Sequence, residues 1–452
     1  TVTTRPPATP ARSAHSPASE RPNTDDGEPG GMDLTVDADR LRHDIEATAA
    51  FGDIDAGEGR GRTVLVGTEA NRRAREYLRD RMESAGLDVT VDAVGNVAGT
   101  WLPDGADPDA APVAAGSHLD SVPEGGIFDG PLGVYSALEA VRAMQDAGVT
   151  PDRPVSVVCF TEEEGQRFAD GLLGSSVAVG ERTVEEALAL TDDDGVTLES
   201  ALETIGFRGE GRLDASRWDA FYELHVEQDT TLEEAGVPVG VVTTITGITH
   251  LDVEILGEAN HAGATHMHDR TDALAAAAEL VLDVESAANE VVDTSSDSAV
   301  GTVGSLDVSP NATNVVPGRV EAGVDVRDVE YESMESVVAA VRDTLARIED
   351  ERGVETEFAR PFDLRPTPMA ERLREAAHRA GDDAGIGTFD LHSGAAHDTM
   401  HVADVTDAAL LFAPSRDGIS HNPREWTDWD DCAAATRVLA GAIAEAAGVA
   451  ET

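Results

Sequence analysis

The run Gly116 to Val134, GSHLDSVPEGGIFDGPLGV, packs more candidate metal ligands into less chain than any other part of the sequence. His118 and Asp120 stand two apart, so on an extended strand end they point the same way. A carboxylate beside a ligating imidazole fixes its tautomer and raises its basicity. Gly125-Gly126 then supply a turn that can swing Asp129 back towards His118. Further along, Glu162-Glu163-Glu164 leave the apolar run Val155–Phe160. Three adjacent carboxylates repel one another there unless a cation or a proton compensates; an acidic turn in an acidic chain is the plainer alternative. His225 closes another apolar run, and His421 lies in the polar loop Gly418–Pro423. Each histidine alone reads readily as structural. Together the four places supply His, Asp, Glu, His and His, a set that suits two divalent ions bridged by one carboxylate. Mixed imidazole and carboxylate ligands favour Zn, Mn or Co over Ca or Mg. Such a pair clamps a substrate oxygen and activates water near neutral pH, and a spare glutamate beside a ligand glutamate can take the water's proton.

A second polar set lies later in the chain. His261-Ala262-Gly263-Ala264-Thr265 interrupts a strand pattern with small residues, Asn314 precedes Val315-Val316-Pro317, and Arg327 ends an apolar strand. Arginine suits bidentate capture of a carboxylate; an ordinary ion pair with Asp325 or Asp328 is the alternative. The loop His392–Asp398, with Ala396 and His397, is small and polar enough to hold a substrate close to backbone.

Positioning these groups takes two folded units, which the 452 residues are long enough to supply. Residues 1–31, rich in Pro, Thr, Ser and Ala, read as a disordered tail, and Met32 is a candidate translation start. Helices are expected at Asp37–Ala50, at Thr68–Ser84 with Thr68 as its cap, and at Val134–Ala147. Strands are expected at Asp88–Val91, Asn96–Trp101, Pro112–Gly116, Val155–Phe160 and Ala220–Val226. Strands alternating with helices imply an α/β layer with sites at the strand C-terminal ends. From about Val241 to Ala359 the order becomes β-α-β-β-α-β, the ferredoxin-like pattern. The organisation expected is an α/β domain over 32–241 and 360–452 with a smaller domain, 242–359, inserted in it.

Composition narrows the partners. There are 87 acidic against 33 basic residues, a net charge of −54, and no lysine. Nucleic acid needs a basic face and is excluded as a partner. Because the acids are spread along the chain, a salt-adapted cytoplasm is the expected setting, where carboxylates keep the surface solvated and salt screens their repulsion. The two cysteines, Cys159 and Cys432, sit in apolar segments and read as buried, reduced thiols. No apolar run approaches a membrane span.

The motifs SHLDSVPEGGIFDGPLGV, FTEEEGQRF, ELHVEQ, HAGAT-x-M-x-x-R-x-DA, NVVP with a later D-x-R strand, SGA-x-HD and GISHNP-x-E occur here in one order, from about Ala49 to His421. In these the chain resembles the metal-dependent amidases of the M20 peptidase superfamily, hydantoinase/carbamoylase branch. That branch includes N-carbamoyl-L-amino-acid hydrolases, β-ureidopropionases and allantoate amidohydrolases. The resemblance implies a zinc-peptidase-type α/β catalytic domain with a lid and dimerisation domain, a homodimer, and two divalent ions per subunit (Zn, or Mn, Co or Ni). It implies that His118, Asp129 and His225 hold one ion. Asp129, Glu164 and His421 would hold the other, with Asp129 bridging. Glu163 would be the general base and Asp120 the orienter of His118. Gln228, Asn314, Arg327, Ala396 and His397 would meet a ureido or carbamoyl amino acid, and His261 would stabilise the oxyanion, reaching into the partner subunit's site. The chain departs from the family at His266, where proline is usual, at Asp229-Thr230, where Gly-Pro is usual, and at Ala396, where glycine is usual. A metallo-aminopeptidase or dipeptidase, and a metal-loaded binding protein without catalysis, are the competing readings.

Overall fold

We describe the fold from a computed structural model, over residues 34–169 and 171–449. The expected tail over residues 1–31 lies outside the described residues. Two larger sheets organise the rest. The nine-stranded sheet contains β1 (Asp88–Val91), β2 (Val97–Trp101), β3 (Val113–His118), β4 (Val155–Phe160), β5 (Ala220–Val226) and β6 (Val239–Ile245). The chain then builds a four-stranded sheet from β7 (Gly247–Leu256), β8 (Val300–Ser309), β9 (Arg319–Asp328) and β10 (Glu355–Leu364). It returns to the first sheet with Thr367–Pro368, β11 (Thr388–Ser393) and β12 (Asp407–Ala413).

The centre of the large sheet runs β12-β5-β3-β4, with every neighbouring pair parallel. His118 is level with Phe160, and His225 with Phe412. Four C-terminal strand ends therefore meet at one rim, where open α/β sheets place their ligands. These strands are buried on both faces, so they read as continuous apolar runs rather than alternating ones. On one face Val113, Ala115, Val157, Tyr222 and Leu411 join a core with three helices: α1 (Ala38–Ala49), α3 (Pro131–Ala147) and the last helix, Trp429–Ala446. On the other, Ala114, Val158, Phe160 and Phe221 pack with Trp218 and Val402.

α2 (Glu69–Ser84) starts at the Thr68 cap, whose hydroxyl accepts from Asn71 N. α3 starts three residues before its expected position: Pro131 opens it, since a first-turn residue needs no N–H donor, and Gly130 precedes it with φ +81°. β3 runs two residues past the expected Gly116, to His118 itself.

The four-stranded sheet is antiparallel in the order β8-β9-β7-β10. Leu251, Val253, Ile255, Val320 and Val324 face α4 (Ala273–Thr294) and α5 (Tyr331–Arg352) and form a separate core. Alternation along the strands turns Asp252, Glu254, Glu321 and Glu357 to the other face. Among the described residues, no helix is long and apolar enough to cross a membrane.

Candidate metal centre

His118, Asp129 and His225 have ligand atoms within 4.8 Å of one another; so do His118, Glu163 and Glu164, and so do Asp129, Glu164 and His421. Each comes from a different place on the rim. His118 ends β3, Glu163 and Glu164 follow β4, His225 lies near the end of β5, and His421 follows β12. His118 Nδ1 lies 3.2 Å from the Asp120 carbonyl, and His225 Nδ1 lies 3.1 Å from the Val226 carbonyl. A carbonyl only accepts, so both Nδ1 atoms carry a proton, and Nε2 is the nitrogen left to ligate. Both point at one oxygen of Asp129: Oδ1 is 3.5 Å from His118 Nε2 and 3.3 Å from His225 Nε2. The other oxygen, Oδ2, is 3.4 Å from His421 Nε2, which is also 3.4 Å from Glu164 Oε2.

Glu163 Oε2 stands 3.6 Å from His118 Nε2. Burial raises the Glu163 carboxyl well above the usual range, with His118 opposing and Glu164, Asp398 and Asp129 adding to it. Burial and the Asp129 charge push Glu164 up to about 8. For His118, burial works against the charged form, but Glu163, Asp129 and Asp120 outweigh it and raise the imidazole. Burial likewise opposes ionisation of Asp129, which the two imidazoles overcome, holding it well below the carboxylate range.

These residues fit a divalent cation. His118 Nε2 is buried with no hydrogen-bond partner, and it faces carboxylates that repel one another. Imidazole nitrogens with carboxylate oxygens are the donor set of zinc, manganese or cobalt rather than of calcium.

Glu162, Gln228 and His421 all have positive φ, a costly conformation for residues with a side chain, and all three belong to the segments that shape the centre. Glu162 itself turns away and accepts from Phe168 N at 2.8 Å. Gln228 Nε2 donates towards Asp129 Oδ2 at 3.4 Å. It also borders a cavity of about 480 Å³ walled by Asp229, His392, Gly394 and Ala395. The atom of Asp120 nearest His118 Nδ1 is its carbonyl; its carboxylate Oδ1 is 3.9 Å away, and Oδ2 accepts from Glu164 N. His397 is buried against the His225 ring at 4.6 Å between centroids, with Nε2 unpartnered. Burial and the neighbouring His225 hold it well below the usual histidine range, so it is neutral. Ala396 packs against the apolar cluster around Met400 and Phe412.

The second sheet contributes less directly. Arg327 pairs with Asp325, Nε to Oδ1 at 2.9 Å, and its Nη1 donates to the Gly394 carbonyl at 3.1 Å. That bond ties β9 to the loop before His397. His261 and Asn314 are exposed. His261 Nδ1 accepts from Gly263 N and Ala264 N, so its proton sits on Nε2, the nitrogen left to donate outward. The contacts of His261 and Asn314 lie within their own two-stranded ladder and its turn, apart from the metal cluster of this chain.

Three supporting residues escape a reading of the sequence. Ser420 Oγ donates to Asp129 Oδ2 at 3.0 Å. Glu425 Oε1 accepts from Phe128 N and Asp129 N, both at 3.0 Å, and burial pushes its carboxyl up to about 7. Arg62 is fully buried beneath the same loop. The GISHNP-x-E motif contains the first two without revealing their partners; Arg62 has no such marker.

Residues 114–445 match the family model for peptidase family M20/M25/M40. The chain belongs to the M20 family. Within it, the likeness is to the hydantoinase/carbamoylase amidases. The N-carbamoyl-L-amino acid amidohydrolase of Geobacillus stearothermophilus is 40% identical, over 86% of this chain and 94% of its own. The allantoate amidohydrolase of Bacillus subtilis is 34% identical, over 85% of this chain and 91% of its own. The crystal structure of a hydantoinase/carbamoylase family amidase from Burkholderia multivorans superposes with a TM-score of 0.85 at 35% identity, covering 92% of this chain and 98% of that one. The mixed α/β fold is that of M20 peptidase-like structures, and the M20 family is metal-dependent.

Proposed function

We propose that this M20 amidohydrolase uses two divalent ions to cleave the carbamoyl C–N bond of an N-carbamoyl amino acid, releasing the amino acid, ammonia and carbon dioxide. Amidohydrolase chemistry follows from the family and from relatives at 34–40% identity. One observation carries the two-ion reading: the two oxygens of Asp129 face different partners, Oδ1 towards His118 and His225, Oδ2 towards His421. Asp129 would then serve both ligand sets, with Glu164 and His421 completing the second.

When bound, the ions supply Lewis-acid polarisation of the substrate carbonyl and a water acidified to near neutrality. The protein's own part is proton handling and orientation. Glu163, its Oε2 3.6 Å from His118 Nε2 and adjacent in sequence to Glu164, would take a proton from the attacking water and return it to the leaving nitrogen. Gln228 orients the ureido group, neutral His397 offers a hydrogen bond without adding charge, Arg327 meets the substrate carboxylate, and Asn314 would join them on closure of the four-stranded unit over the substrate. His261, its proton on Nε2, suits the developing oxyanion of a partner subunit. The four-stranded unit, read from the sequence as 242–359 and built of strands from Gly247 to Leu364, then serves as a ferredoxin-like lid and dimerisation domain inserted in the catalytic domain, read as 32–241 and 360–452. Zinc, manganese, cobalt and nickel all suit the donor set. The acidic composition and buried thiols support a cytoplasmic, salt-rich setting.

The test is ammonia release from N-carbamoyl amino acids and from allantoate, against release of amino acids from a dipeptide, with and without metal stripping. Ammonia from the carbamoyl acids in the metal-loaded enzyme alone is the expected result. Faster release from allantoate would move the substrate to that second ureido acid, consistent with the 34% identical relative. Glu163→Gln should keep its metal and lose turnover on the order of 10²–10⁴-fold; a rate near that of the parent enzyme removes Glu163 from the base role.

A further inference from the structure

Arg62 has no surface exposure, and its hydrogen bonds go to main-chain carbonyls rather than to a carboxylate. Nε donates to Gly126 O at 3.2 Å, Nη1 to Leu119 O at 3.0 Å, and Nη2 to Asp120 O at 3.2 Å and to Asp129 O at 3.1 Å. The backbone beside it grips the same loop: Arg62 N donates to Gly125 O, and Val64 N to Ser121 Oγ. Another buried arginine, Arg142, shows the commoner solution, pairing with Asp44 at 2.7 Å.

A guanidinium is costly to take out of water unless its donors are matched. Here the acceptors that match them come from both ends of the loop carrying His118 and Asp129. The Asp120 carbonyl is shared: it meets Arg62 Nη2 and His118 Nδ1 together. The planar fork of arginine thereby sets the spacing between the end of β3 and Asp129, and it fixes which nitrogen of His118 is free. It also puts a permanent positive charge under a set of carboxylates that repel one another before a metal arrives.

We propose that Arg62 is a positioning residue for the metal centre, holding the Leu119–Asp129 loop in its ligating geometry. The inference rests on the two-ion reading above. The experiment is a cobalt(II) titration of metal-stripped full-length protein, followed by visible absorption, with Arg62→Met, Arg62→Lys and, as a control remote from the loop, Arg142→Met. Thermal melting of each metal-free protein is measured alongside. Arg62→Met should bind cobalt roughly 10–100-fold more weakly, the range for loss of a group that orients a ligand, and with an altered spectrum. Arg62→Lys keeps the charge without the fork, so its spectrum should stay altered. Arg142→Met should melt lower yet keep the parental affinity and spectrum. Parental cobalt affinity and spectrum in Arg62→Met overturn the proposal, and so does full rescue by lysine, which would reduce the role to charge. Should Arg62→Met not fold, Arg62→Lys alone decides between these outcomes. If the parent protein itself binds no cobalt, the two-ion reading falls and this proposal falls with it.

Discussion

Asp129 is the residue on which both halves of the centre converge. Its carboxylate meets two imidazoles through one oxygen and a third through the other, while Ser420 and Gln228 hold Oδ2 from the side. Asp129→Ala should therefore remove both ions together, whereas His421→Ala should remove mainly the one it shares with Glu164; metal analysis after gel filtration distinguishes them. Equal loss of both ions in His421→Ala counts against the bridge. The residues of this cluster could be picked out in the sequence because most of them sit just past an apolar run and fall into one set of acids and histidines, although each histidine alone reads as structural. The supports were not. Glu425 reaches amides 297 and 296 positions away, and Arg62 reaches carbonyls 57 to 67 positions away. Nothing local marks either residue, since their acceptors and donors are backbone atoms that look alike in any sequence. Arg327 was read in two ways, and the geometry contains the ion pair: Asp325 fixes one edge of the guanidinium, while Nη1 donates to the Gly394 carbonyl, and the substrate-carboxylate role belongs to the proposal alone.

The turn between β3 and α3 is the element that brings the residues together. Gly130 takes φ +81°, and a Cβ there would stand 2.6 Å from His118 Cε1. Gly130→Ala should cost about 1–3 kcal/mol through backbone strain, and in displacing the imidazole it should weaken metal binding as well. Thermal melting with and without metal is the measurement; an unchanged melting point would mean that the turn relaxes freely. Glycine content signalled a turn here, but periodicity placed the helix start at Val134, three residues late. The reason is that Pro131 and Gly133 sit within the first turn, where proline is tolerated and where glycine lets the helix approach the Leu224 carbonyl. The strands of the large sheet were easier to see: burial on both faces leaves uninterrupted apolar runs. The strand after Val239 was harder, because β6 and β7 are separated by a single residue and belong to different sheets.

Across the whole molecule the charge is the dominant feature. The outer face of the four-stranded sheet carries Asp252, Glu254, Asp307, Glu321 and Glu357, with Arg319 pairing Glu254 and Glu321. Screening such a face requires salt, since the Debye length falls from about 10 Å at 0.1 M to about 3 Å at 1 M. The melting point should climb steadily over that range of potassium chloride, and activity should fade in dilute buffer. A flat melting curve would remove the salt-adapted reading. The order of strands has a different consequence. β12, among the last elements of the chain, is inserted between β5 and β6 in the middle of the large sheet, and His421 follows it. A nascent chain thus holds His118, Asp129, Glu164 and His225 long before the strand that seats the final ligand has left the ribosome. Until that strand arrives the sheet has an open seam beside β5, and the pairing that closes it is long-range and slow. The second of the proposed ligand sets is in this sense complete only once that seam has closed.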